Sequence, residues 1–255
     1  MKATRRKKEW FDNESLWRET YFFLFPESLF VSAIETVDKA LALLQPQGKA
    51  ALDLGCGPGR CSIALAKRGF TVTGVDRTAF LLRKAKSRAR TDGVKVDWVL
   101  KDMRDFTRVE TYDIALSIFT SFGYFEDPRQ DVAVLRNVFT SLRPGGAFLI
   151  DKNGKEVIAR KFVPSQVDDT PDGAQVIERR RVQDGWARVH NEWIVVKNGK
   201  ARRFGFNVNL YSGQEIRDRL EEVGFVDVKL YGNLEGAAYN VNATRLIVVA
   251  RKPRN

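Results

Sequence analysis

Cysteine and histidine are almost missing from this chain, which holds two cysteines, Cys56 and Cys61, and one histidine, His190. So few exclude a disulfide framework and leave no zinc constellation, so no metal site is assigned. Long apolar runs are missing too. Runs such as Tyr21 to Phe25 and Leu246 to Ala250 fall far short of the roughly 18 residues of a membrane span. The chain starts basic, but Glu9-Trp10-Phe11-Asp12-Asn13-Glu14 stands where a signal peptide needs its apolar stretch. These absences predict a soluble, cytoplasmic protein without a membrane partner. No internal repeat or low-complexity tract is present.

What is there is ordinary in amount and unusual in charge. The 255 residues, 44% hydrophobic and 29% charged, allow one large domain or one domain with a sizeable insertion. Lys and Arg number 43 against 32 Asp and Glu, a net +11, which by itself points to nucleic acid, an anionic surface or an acidic ligand as partner. Most of the excess sits at the ends. Lys2, Arg5, Arg6, Lys7, Lys8, Arg251, Lys252 and Arg254 supply eight positives with no acid among them, leaving +3 for residues 9–250. Arg83, Lys84, Lys86, Arg88 and Arg90 share one predicted helix, where they read as its solvated face.

Aromatics crowd the stretch from Trp10 to Phe30, and a helix is predicted over 31–44. Strands and helices then alternate: strands at 50–54, 71–75, 94–100, 114–119 and 147–150, helices at 59–68, 79–90 and 128–142. That alternation predicts a parallel sheet covered on both faces. After Asp151 and a short helix near 153–160 the pattern changes. Pro171-Asp172-Gly173, Asp184-Gly185 and Asn198-Gly199 are hairpin turns between runs at 175–182, 186–196 and 201–210, which predict an antiparallel meander. Ser212 and Glu215 form a capping box for a helix ending at Gly224, and two strands close the chain at 225–231 and 245–250. The expected organisation is a basic arm and aromatic helical cap over 1–45, an α/β body over 46–160 and 211–255, and a β insertion over 161–210.

The chemistry concentrates in Leu52-Asp53-Leu54-Gly55-Cys56-Gly57-Pro58-Gly59-Arg60, where a buried strand passes through three glycines into a helix. Glycine there lets backbone approach a ligand, and the helix N-terminus offers free N–H groups. The spacing is G-x-G-x-G, with Arg60 where the dinucleotide fingerprint has its third glycine, which weakens a nicotinamide or flavin assignment. Asp76 ends the second strand, 21 residues after Gly55, where a carboxylate accepts both hydroxyls of a ribose. Asp102 follows the third strand. Three acids at the carboxyl ends of three successive strands converge on one crevice, where open parallel sheets bind ligands.

With LDLGCGPGR, VTGVD, DMRD, YDIALSIFTSFGYF, LRPGGAFLID and the closing YSGQEIRDRLEEVGFVDVKLYG and RLIVVARK, the chain resembles the class I S-adenosylmethionine-dependent methyltransferases over roughly 45–151 and 211–252. The resemblance implies a doubly wound, mostly parallel seven-stranded, Rossmann-like sheet, S-adenosyl-L-methionine as cofactor and S-adenosyl-L-homocysteine as product. It implies that Asp53, Gly55, Cys56 and Gly57 line the methionine part and that Asp76 holds the ribose, with Arg77 beside the adenine. Asp102 would accept from the adenine amino group, Met103 would pack on the ring, and Phe119 would lie beneath the sulfonium. Arg77 departs from the apolar residue usual there.

The expected reaction is transfer of a methyl group to an oxygen, nitrogen or carbon of a small-molecule acceptor by in-line displacement. Tyr124, beyond the fourth strand, is the catalytic candidate or an aromatic wall; Trp17, Arg18, Tyr21, Phe122 and Tyr124 are the substrate-binding candidates. The N-terminal aromatics have two readings, a hydrophobic cap or a lid. Cys56, Cys61 and His190 are assigned no chemistry. The alternatives are an RNA methyltransferase, for which neither an RNA-binding module nor an Asn-Pro-Pro-Tyr-like tetrapeptide is present, and a non-catalytic cofactor-binding module acting through a partner.

Overall fold

Ala51, Leu52 and Leu54 leave their strand no solvent-facing side, and all three are buried, as a central strand of a doubly covered sheet requires. The computed structural model describes residues 9–170 and 173–254. The arm of Lys2, Arg5, Arg6, Lys7 and Lys8 and the turn residues Pro171 and Asp172 lie outside them.

The chain opens with helices α1 (Glu14–Leu24) and α2 (Glu27–Leu44). The body follows as β1 (Ala50–Leu54), α3 (Arg60–Lys67), β2 (Thr71–Asp76), α4 (Ala79–Thr91), β3 (Asp97–Leu100), β4 (Tyr112–Ser117), α5 (Pro128–Ser141), β5 (Leu142–Lys152) and α6 (Lys155–Arg160). Then come β6 (Ser165–Asp169), β7 (Gln175–Gln183), β8 (Arg188–Lys197) and β9 (Lys200–Asn209), before α7 (Gly213–Val223), β10 (Val226–Tyr231) and β11 (Leu246–Arg251) return to the body. Among the described residues no helix is long and apolar enough to cross a membrane.

Seven strands form one sheet in the order β10-β11-β5-β4-β1-β2-β3. The pairs β1–β2, β2–β3, β1–β4 and β4–β5 are parallel, and β11 runs against both β5 and β10. Successive residues go to opposite faces. Leu52, Leu54, Phe148 and Ile150 pack with Val134, Leu135 and Val138 of α5 and Ile216 and Leu220 of α7. Ala51, Ala147 and Leu149 pack with Val37, Ala40 and Leu44 of α2 and Leu65 of α3. The strand order reverses between β1 and its neighbours β2 and β4, which opens a crevice at the carboxyl ends of these strands.

The second sheet, β6-β7-β8-β9, is an antiparallel meander. Asn198 and Gly199 both take positive φ, 50° and 71°, as a two-residue primed turn needs. Leu16 of α1 inserts among Val176, Val195 and Phe204 and ties the N-terminal helices to this sheet.

Several boundaries differ from expectation. β6 was not foreseen because Ser-Gln-Val-Asp-Asp carries no apolar alternation; it is recruited by pairing with β7. At 184–186 the tight turn is instead a wider 3-10 turn, and β8 begins at Arg188. β3 starts at Asp97, since the Val94 amide donates back to Ala89 and closes α4. β4 stops at Ser117, so Phe119 lies in the following loop. Arg251 and Lys252 are docked rather than loose. Arg251 donates to the Leu44 carbonyl at 2.8 Å, and Lys252 donates to the Leu142 carbonyl at 2.9 Å. The basic face of α4 is likewise covered in part, with Arg83 paired to Glu14 and Arg88 to Glu27.

Candidate active site

β1 delivers Asp53 to the crevice almost fully buried. The Ser62 hydroxyl on α3 donates to it at 2.6 Å. Burial pushes the carboxyl up to about 6 against the pull of the Ser62 bonds, so this is an acid that gains from a cation beside it. In the following loop the amides of Gly55 and Cys56 both donate to the Val75 carbonyl, at 2.9 and 3.1 Å, which folds the loop over the end of β2. Gly57 holds φ at +54°, and a Cβ placed there would meet nothing nearer than Phe25 at 3.8 Å. The loop therefore presents bare backbone to open space.

Asp76 accepts from the Gly57 amide at 2.9 Å through Oδ2 and from the Thr78 amide at 2.7 Å through Oδ1. Each oxygen keeps a lone pair for a further donor. Burial raises this carboxyl, against the bonds from Thr78 and Gly57. Asp102 is bound differently. Oδ1 accepts from the Arg104 amide and Nε, at 2.9 and 3.0 Å, and Oδ2 accepts from Arg77 Nη1 and Arg104 Nη2, at 2.7 and 2.6 Å. Burial pushes Asp102 up, but Arg104 and the charge of Arg77 outweigh it and hold the carboxyl below its ordinary value. A further donor to Asp102 has to displace one of these bonds.

Arg77 also pairs with Asp12, and Arg104 pairs with Glu9 at 2.5 Å. The two arginines thus clip the N-terminal segment onto the rim of the crevice. Phe11, Trp17 and Phe25 from that segment close over it, and the Trp17 indole donates to the Phe11 carbonyl at 2.8 Å. Past β4, Phe119 and Thr120 both take positive φ, 60° and 67°, a strained conformation for side-chain-bearing residues and one that clusters at functional sites.

One cavity is lined by Asp53, Gly55, Cys56, Gly57, Asp76, Arg77, Asp102, Met103 and Phe119, so the nine residues expected around a cofactor are brought together. Trp17 and Tyr124 border it as well. Three expected substrate contacts do not. Phe122 is 1% exposed and turns into the core beside Tyr211. Arg18 pairs with Glu14 at 2.5 Å and lies over the Phe80 ring, and Tyr21 packs between Phe25 and Phe80. His190 Nδ1 sits 2.8 Å from Asn207 Oδ1 across β8 and β9. Burial raises both cysteine thiols. Burial also holds the Tyr124 phenol up at about 12, so at neutral pH it is a hydrogen-bond donor and not a phenolate.

A second cavity, of about 700 Å³, adjoins the first and shares Trp17, Phe25, Arg60, Phe119 and Tyr124 with it. Its far walls come from α6 and from β7, β8 and β9. Trp10, Arg60, Lys152 and Trp193 all border it; the N-terminal aromatics and Trp193 of the insertion were expected as possible pocket walls, whereas Arg60 and Lys152 were given no role at the acceptor site. Of these last two, Arg60 carried a signal, as the bulky residue in the glycine motif.

A family model described as a methyltransferase domain matches residues 51–146. The chain is 26% identical over 214 residues to the putative methyltransferase YqeM of Bacillus subtilis (strain 168), covering 82% of this chain and 86% of that one. Further curated relatives are matched over about half their length. Among solved structures, an S-adenosylmethionine-dependent methyltransferase from Clostridium acetobutylicum ATCC 824 superposes with a TM-score of 0.76 at 15% identity, covering 95% of this chain and 99% of that one. SAM-bound CalS10 from Micromonospora echinaspora, an amino pentose methyltransferase, superposes with a TM-score of 0.64 at 20% identity, covering 98% and 99%.

Proposed function

We infer, from the premise that this chain belongs to the class I S-adenosylmethionine-dependent methyltransferases, that it methylates a small-molecule acceptor held in the second cavity. One observation carries this reading. The second cavity opens onto the first through Phe119 and Tyr124 and is roofed by the N-terminal helices and the second sheet. A cavity of about 700 Å³ falls in the size class of small-molecule sites. CalS10, an amino pentose methyltransferase, supports a small-molecule acceptor.

The residues of the first cavity fit the cofactor in this reading. The raised Asp53 carboxyl takes the methionine ammonium, and the open lone pairs of Asp76 take the ribose hydroxyls. Met103 and Phe11 flank the adenine. Asp102 serves its amino group only by giving up a bond to Arg77 or Arg104. When bound, S-adenosylmethionine supplies a methyl group already made electrophilic by its sulfonium. The chain's part is then to align the acceptor atom with that methyl and to exclude water. Phe119 and Tyr124 form the passage between the cavities, and Tyr124 offers its hydroxyl to the acceptor as a donor.

Calorimetry with S-adenosylmethionine and NADH tests the premise, with binding of the former alone expected. Asp76→Ala is predicted to weaken S-adenosylmethionine binding by about a hundredfold, the worth of two hydrogen bonds to a charged acceptor; unchanged affinity in a folded variant would remove the ribose contact. Transfer of a labelled methyl group into a metabolite extract, and not into tRNA, is the expected result for the acceptor class. Labelled tRNA, with affinity falling steeply as salt rises, would replace this reading by the RNA one.

A further inference from the structure

Arg60 is about nine-tenths buried at the boundary of the two cavities, and its Nη1 has no hydrogen-bond partner. The guanidinium lies 3.9 Å from the Phe119 ring centre and 5.5 Å from that of Phe25. Ring faces hold the cation in position but cannot accept its N–H groups as a carboxylate does. Among the described residues it makes no ion pair. A buried arginine in that condition is costly unless something else completes it.

Two more donors on the same walls are unmatched. Trp10 Nε1 and Trp193 Nε1 are buried without partners, and both indoles border the second cavity but not the first. Both pack on Phe206, Trp10 stacked at 4.7 Å and Trp193 edge-on at 4.8 Å. An indole N–H is a donor only, so these groups ask for acceptor atoms. The charge of the walls agrees. Arg60, Lys161 and Arg180 face a single acid, Glu178, which is paired to Arg180. An acceptor bearing an ammonium group would add a further cation to this set.

We propose that the second cavity binds a ring-bearing acceptor that carries a carboxylate, with Arg60 receiving the carboxylate and the Trp10 and Trp193 indoles donating to its oxygens. The aromatic walls supply the ring contacts, and the planar guanidinium suits a planar carboxylate. This rests on the reading of the second cavity as the acceptor site. A carboxylate reaches Arg60 from two sources, the acceptor or the methionine end of the cofactor. The indoles favour the acceptor, because they border its cavity alone.

The test uses the full chain saturated with S-adenosylhomocysteine and titrated with 2-naphthoate and 2-naphthamide, followed by tryptophan fluorescence. The acid is expected to bind at least tenfold tighter than the amide. Arg60→Gln is expected to abolish that preference, while Arg60→Lys, judged folded by its thermal transition, keeps part of it. Trp193→Phe is expected to weaken both probes severalfold and to leave S-adenosylhomocysteine affinity unchanged. Equal binding of acid and amide, binding of neither at millimolar concentration, or a preference that survives in Arg60→Gln overturns the proposal. So does a tenfold loss of S-adenosylhomocysteine affinity in Arg60→Gln with the preference intact, which gives Arg60 to the cofactor carboxylate. Failure of the unmodified chain to bind S-adenosylhomocysteine overturns the methyltransferase reading beneath it, a result distinct from all of these.

Discussion

Gly59 sits at φ +87°, and a Cβ there would come within 2.6 Å of the Trp98 ring and 3.1 Å of the Ala85 methyl. The same indole occupies the place of a side chain at Gly74, 2.8 Å from its Cβ position. Gly59 is thus required by the packing of β3 and α4 against the start of α3, whereas Gly57 faces the cavity. Gly59→Ala is predicted to cost about 2–4 kcal/mol through left-handed strain and overpacking, read as a lower midpoint in urea; an unchanged midpoint would show that Trp98 yields without cost. At this scale the chain sequence was informative where chemistry and chain position coincide. Asp53, Gly55, Gly57, Asp76 and Asp102 stand at strand ends, so their convergence follows from the alternation of elements. Phe122 misleads because a two-residue step along the loop separates it from Tyr124, and only the folded loop decides which ring enters the core. The isolation of Arg60 is invisible in sequence, being a property of what surrounds it from distant segments, Phe25 and Phe119 among them.

Helix α1 is held on one side by α4 of the body, through Phe80 and Arg83, and on the other by the second sheet. Leu16, 2% exposed, is its anchor among Val176, Val195 and Phe204. The segment before it is fastened by Glu9 and Asp12 to Arg104 and Arg77, which accounts for an arginine at position 77 where an apolar residue was expected. The cap and lid readings of the aromatic stretch therefore meet in one element, a roof whose two attachments lie on different sheets. Leu16→Ala is predicted to cost about 2–5 kcal/mol and to loosen the roof before the body unfolds. Limited proteolysis checks it, with early cleavage near α1 expected and a wild-type digestion pattern counting against the anchor. The meander was legible because Asn198-Gly199 forces a hairpin. The location of α1 was not, because a dense run of aromatics reads equally as core, cap or lid until its partners are known.

At the scale of the whole molecule, the net charge of +11 is a poor guide to the electrostatics that matter. Arg83, Arg88 and Lys252 are tied into ion pairs, whereas the consequential cation lies inside. Lys152 is 1% exposed, donates to the Asn209 carbonyl at 3.2 Å and sits 4.5 Å from the Tyr211 ring centre. Burial pushes its amine down to about 7; the charges of Asp131 and Glu215 pull upward, and those of Arg245 and Arg219 push further down. In the unfolded chain the same amine titrates near its ordinary 10.5. Below pH 7 both states carry the proton, and the native state bears the full cost of a buried ammonium. Between about 7 and 10.5 the unfolded state binds a proton that the native state does not, so this group makes stability rise with pH across that window. Lys152→Met is predicted to be the more stable protein at pH 6.5, with an advantage that shrinks steadily toward pH 10. Urea unfolding of both proteins at pH 6.5, 7.5, 8.5 and 9.5 measures it. Parallel dependences on pH would mean that Lys152 keeps its proton when folded, under the charge of Asp131.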